Sequence, residues 1–133
     1  MEKLALLGLH NEGLKNSYTM ICEDEELGGY IVDALGRVCS QKEMAQELIE
    51  TYKQKPYSLV IFDLNLGQPG SNDPDTARTF FKDPEIKKDF IDGKFKAVGI
   101  SGNPTTVRTA KLEDLPAVYT SYFNIIEFLE SIK

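Results

Sequence analysis

The chain has 133 residues, enough for one domain with a core of its own and too few for two comfortable ones. Apolar, charged and aromatic fractions of 41%, 27% and 10% are ordinary for a globular protein, which sets disorder aside. A formal net charge of -6 argues against a DNA- or membrane-binding surface, because both need clustered Lys and Arg.

The start of the chain carries a short apolar stretch, Leu4 to Leu9, with no small-residue cleavage site after it, so it does not read as a signal peptide. No stretch approaches the ~20 apolar residues of a membrane span, and the expected location is cytoplasmic. Lys3 to Leu9 is compatible with a strand ending at His10-Asn11. The preferred reading takes residues 1–17 as an N-terminal extension, an added strand or helix packed on a domain of residues 18–133. The first core strand is then Thr19-Met20-Ile21-Cys22, because an acid run (Glu23-Asp24-Glu25-Glu26) and an apolar face of helical period (Leu27, Ile31, Ala34, Leu35) follow it. Gly36 stops that helix, and Arg37-Val38-Cys39 is a thin second strand. Ser40 with Glu43 forms a capping box for a helix holding Met44, Leu48, Ile49 and Tyr52.

Ser58 to Phe62 is an apolar run without alternation, suited to a strand buried on both faces, and it ends in Asp63. Residues 67–76 form a long loop of turn-forming residues. Asp75 caps a helix with Ala77, Phe80 and Phe81, which Pro84 ends. Lys96 to Ile100 is a further buried strand running into Ser101. Asn103-Pro104 starts a helix with Val107 and Ala110. Ala117 to Thr120 is a weaker strand, and Asn124 caps a last helix presenting Ile125, Ile126, Leu129 and Ile132. The alternation of strands and helices predicts an α/β fold: a flavodoxin-like (βα)5 doubly wound parallel sheet with an extra N-terminal segment.

Ligands of an open parallel sheet bind beyond the carboxyl ends of its strands. The residues this reading places there are Glu23, Asp24, Asp63 and Ser101. Three converging carboxylates repel one another unless a cation sits among them, and magnesium is the hard cation that carboxylates and phosphate oxygens share. Asp63 is then a nucleophile toward phosphorus, and the Ser101 hydroxyl bonds a phosphate oxygen. Each has a plainer reading as well. Asp63 and Ser101 can serve as turn and helix caps, and the acid run can be a solvated helix start. Cys22 and Cys39 form no metal or redox spacing and read as buried reduced thiols. His10, the single histidine, has no partner in sequence and is set aside.

Three segments resemble the response-regulator receiver domain of two-component signalling. Ile21-Cys22-Glu23-Asp24-Glu25 is similar to the acidic end of the family's first strand. Leu59 to Leu66, with Asp63 and Asn65, is similar to the phospho-acceptor segment. Ile100-Ser101-Gly102 is similar to the hydroxyl switch position. The resemblance implies a phosphoryl group accepted on Asp63, and Mg2+ held by Glu23, Asp24, Asp63 and the Asn65 carbonyl. It implies a histidine kinase or phosphotransfer protein as donor and a downstream protein partner, with no direct nucleic acid and no membrane contact. The domain would be a signalling phosphoprotein rather than an enzyme.

The chain departs from the family in several places: Glu23 stands for the family's first acid, and the loop behind the acceptor segment is longer than usual. The spacing from Asp24 to Asp63 is a few residues short, Gly67 replaces a proline, and Ser121-Tyr122-Phe123 stands where the family has a lysine. That loss makes a phosphorylation-independent pseudo-receiver, a protein-interaction module, the main alternative. A haloacid-dehalogenase-like phosphatase fits less well, because Asn65 stands where its second acid would be. Tyr119 reads as core or as a switch aromatic.

Overall fold

The computed structural model describes residues 2–35, 41–64, 74–113, 117–120 and 123–133; of Gln41, Lys42, Met44 and Val118 it describes the backbone. Among these residues five strands form one parallel sheet: β1 Leu4–Gly8, β2 Ile31–Leu35, β3 Leu59–Asp63, β4 Lys96–Ile100 and β5 Val118–Thr120. Their order is β2-β1-β3-β4-β5, the doubly wound arrangement that the strand–helix alternation predicts. Among the described residues six α-helices accompany them: α1 Glu12–Glu23, α2 Gln41–Tyr52, α3 Asp75–Lys82, α4 Pro84–Ile91, α5 Pro104–Leu112 and α6 Ile125–Ser131.

The first half of the chain is assigned differently from the sequence reading. Leu4–Gly8 is no extension: it lies between β2 and β3, and all five of its residues are buried. An unbroken apolar run of this length suits an inner strand of a parallel sheet, because helices cover both of its faces. Residues 19–22, taken as the first strand, belong to α1. Leu14, Tyr18, Ile21 and Cys22 recur at helical spacing and pack on one core, while Met20 is 73% exposed. The apolar face expected over Leu27 to Leu35 is not a helix either. Gly28 and Gly29 adopt φ of 132° and 63°, a left-handed turn that glycine makes without strain and that stops a helix before Tyr30. The chain then extends into β2.

The second half follows the sequence more closely. Pro84 separates two helices, ending α3 and occupying the first turn of α4, whose N-cap Asp83 accepts hydrogen bonds from Glu85 and Ile86. Asn103 and Asn124 cap α5 and α6 as expected. Ser40 and the second strand expected at 37–39 lie outside the described residues.

Strand side chains alternate between two cores. Leu4 and Leu6 of β1, with Val60 and Phe62 of β3, pack under α2, α3 and α4 with Tyr52, Phe80, Phe81, Ile86 and Phe95. The rings of that cluster meet mostly edge-on, with Phe80 against Phe81 at 5.1 Å and Phe80 against Phe95 at 6.3 Å. Ala5, Leu7, Leu59 and Ile61 face the other side, against Tyr18 and Cys22 of α1 and Ile125 and Leu129 of α6. Each fully buried Leu or Phe contributes about 1.5–3 kcal/mol over its exposed state, so the sheet is anchored through β1 and β3. Burial also pushes the Cys22 thiol up to about 12, which leaves it protonated and inert; Cys39 lies outside the described residues.

Candidate functional site

The strand order reverses between β1 and β3, and the crevice of such a sheet opens beyond the carboxyl ends of these two strands. β3 ends in Asp63, which is 8% exposed; β1 runs out through Leu9 into His10 and Asn11. The His10 backbone N–H donates to Asp63 Oδ2 at 3.0 Å, and His10 Nδ1 lies 2.7 Å from the same oxygen. One residue thus brings its backbone N–H and a ring nitrogen to one carboxylate oxygen. The His10 ring remains half exposed, at 46% of its side-chain surface, while the Asp63 side chain keeps 11%. Burial raises the Asp63 carboxyl above the ordinary carboxylate value, and the backbone, charge and side-chain contributions of His10 only partly oppose that rise.

A cleft of about 420 Å3 opens over this pair, lined by Asn11, Tyr18, Ser101 and Phe123 among others. Ser101 follows the last residue of β4, and its Oγ accepts the Asn103 backbone N–H at 3.0 Å, so the hydroxyl braces the turn into α5. Asn11 is the N-cap of α1, its Oδ1 accepting the Leu14 N–H at 2.9 Å. Phe123 meets Tyr18 edge-on at 5.8 Å and forms the far wall.

Of the predicted site residues, Asp63 and Ser101 share this cleft. Glu23 and Asp24 do not. Glu23 closes α1 and Asp24 caps a 3-10 turn, Glu25–Leu27, whose neighbouring Gly28-Gly29 turn leads into the amino end of β2. A helix that starts beside the carboxyl end of β1 returns its last residues to the opposite edge of the sheet. The acid run therefore lies at that edge, away from Asp63. Asn65 and Ser121 lie outside the described residues. Tyr119, 5% exposed, is a core residue packed against the position of Gly99.

Among the described residues the donor set at the cleft does not fit the expected magnesium, and Asn65, expected as a further ligand, lies outside them. Among the described residues Asp63 is the sole carboxylate lining it, and its Oδ2 is already engaged by the backbone N–H and the Nδ1 of His10. Its neighbours are an imidazole and an amide whose oxygen caps α1. Glu12, next along the chain, pairs with Lys15 at 2.8 Å. Hard cations seek several oxygen ligands, and these side chains offer few. Among the described residues no three His, Cys, Asp or Glu side chains group as metal ligands. Sequence reasoning passed over His10, although Leu4 to Leu9 followed by His10-Asn11 has the form of a buried strand with polar residues at its carboxyl end.

No helix among the described residues is long and apolar enough to cross a membrane. No family model and no curated protein matches the sequence. Solved structures do match in shape. The signal receiver domain of a protein described as a Luxo repressor, from Vibrio parahaemolyticus, superposes with a TM-score of 0.59 at 16% identity, covering 99% of this chain and 88% of its own. The crystal structure of FixJ-N gives a TM-score of 0.62 at 12% identity, covering 99% and 91%. Coverage of nearly the whole of both chains, with five parallel strands in one sheet, gives this protein the fold of response-regulator receiver domains.

Proposed function

We propose that this chain is a pseudo-receiver, a signalling module that acts through protein contacts without phosphorylation of Asp63. One observation carries the reading: His10 holds Asp63 at 2.7 Å at the sheet edge where the sequence reading put an acid cluster. A carboxylate attacks a phosphoryl group only when a cation offsets the repulsion between two anions. Among the described residues those beside Asp63 supply an imidazole and an amide in place of carboxylates, a set poorly made to recruit that cation. The reading needs no enzymatic turnover. Partners would be proteins that recognise the surface of the fold, upstream and downstream of it.

Asp63 as phospho-acceptor is the second reading. It is supported by the adjacency of β3 and β4, whose register sets Asp63 beside Ile100, one residue before Ser101. Incubation with acetyl phosphate and magnesium separates the two. The pseudo-receiver should gain no base-labile phosphoryl group and should not bind beryllofluoride. A magnesium-dependent acyl phosphate that disappears in Asp63→Asn would establish the second reading instead.

A further inference from the structure

We propose that His10 is itself a phosphoryl acceptor, with Asp63 as the residue that positions and polarises its ring. The proposal goes beyond the pseudo-receiver reading, which concerns Asp63 alone. A nucleophilic histidine needs three things: a fixed ring, a free lone pair on one nitrogen, and a carboxylate that stabilises the positive charge left on the imidazole after attack. The first and third are met by the Asp63 contact. Nδ1 lies 2.7 Å from Oδ2, and the backbone N–H of the same residue locks the approach at 3.0 Å. With Asp63 ionised, Oδ2 can only accept, so Nδ1 carries the proton. The lone pair is then on Nε2, across the ring from Asp63. Among the described residues Nε2 has no hydrogen-bond partner, and the half-exposed ring lines the cleft of about 420 Å3.

The chemical class of donor is an acyl phosphate. The Nε2 lone pair attacks phosphorus, the N–P bond forms, and the P–O bond to the acyl group breaks. The bonding pair leaves with the carboxylate, which needs no proton. The imidazole gains a positive charge, the Nδ1 proton stays in its hydrogen bond, and the Asp63 carboxylate offsets that charge. No metal enters the step.

His10 is the single histidine of the chain, so any phosphohistidine formed is assigned without a variant. The full chain is incubated with acetyl phosphate in excess EDTA, and the product is followed by intact mass and 31P NMR. The expected product is one phosphoryl group that is stable in base and labile in acid. His10→Gln should take up none. Asp63→Asn should still be labelled, at least roughly tenfold more slowly, in line with the role of a base-orienting carboxylate. In 15N spectra the wild type should show His10 protonated on Nδ1, and Asp63→Asn should lose that preference. No phosphoryl uptake overturns the proposal and leaves the pseudo-receiver reading intact. A base- and hydroxylamine-labile group on Asp63 overturns both. Labelling of Asp63→Asn at the wild-type rate, with an unchanged tautomer, overturns the role given to Asp63.

Discussion

Asp63 is held in a place that charge alone would not choose. Its carboxyl is raised above the ordinary value because burial costs more than the His10 contacts return. The consequence for stability has a definite sign. In acid, below the ordinary carboxylate value, Asp63 is neutral in both the folded and the unfolded chain. As pH rises, the unfolded chain releases its proton first, so the folded state binds more protons and loses stability until Asp63 itself ionises. Replacing Asp63 by Asn removes this loss while keeping an oxygen for the His10 N–H. Asp63→Asn should therefore melt higher than wild type at neutral pH, and the gap should close in acid. Thermal melts recorded across that range check it. A variant that melts lower at neutral pH would mean that the His10 contacts to the carboxylate outweigh desolvation.

At the scale of elements, β4 fits its neighbours only because Gly99 has no side chain. A Cβ built there would lie 2.7 Å from Leu64 Cδ2 and 2.8 and 2.9 Å from the Tyr119 ring. Both neighbours are buried, and neither has solvent to move into. Gly99→Ala should cost about 1–3 kcal/mol, the usual penalty of overpacking a tight core, read as a lower denaturant midpoint with an unchanged slope.

Elements from β3 onward were largely legible because their signals are local. Apolar runs without alternation mark β3 and β4, and Asn103-Pro104 and Asn124 mark helix starts. Asp83-Pro84-Glu85 carries the same cap-and-proline signal for α4, which the sequence reading took only as the end of α3. The first half misled because Thr19 to Cys22 is apolar enough to pass for a short strand, whereas Leu14, Tyr18 and Cys22 repeat at four-residue spacing. That single shift moved Glu23 and Asp24 to the wrong edge of the sheet and hid His10. A clue was present in the sequence, since the distance from Asp24 to Asp63 is too short for the segment it would need to contain. His10 stands 53 residues before Asp63, which leaves room for α1, β2 and α2 between them. The partnership of His10 with Asp63 joins two strand ends, and no local pattern announces it.

For the whole molecule the same shift decides what can be removed. If residues 1–17 were an extension, deleting them would leave a complete five-stranded sheet. The observed topology requires the opposite. β1 pairs with β2 from Leu4 to Gly8 on one side and with β3 from Ala5 to Gly8 on the other, so it joins the edge strand to the rest of the sheet. Its deletion would unpair β2, expose Leu59, Val60, Ile61 and Phe62 of β3 along an open edge, and take the first residues of α1 from over the second core. The loss of Leu4, Leu6, Leu7 and Leu9 alone amounts to about 6–12 kcal/mol at 1.5–3 kcal/mol for each buried Leu, comparable with the whole stability of a domain this size. A chain lacking residues 1–17 should accordingly fail to fold, with no cooperative thermal transition and a collapsed amide spectrum. Deleting Met1 and Glu2, which precede the strand in sequence, should leave the melting curve close to wild type. A cooperative transition in the longer deletion would return residues 1–17 to the status of an extension and would detach His10 from the core of the fold.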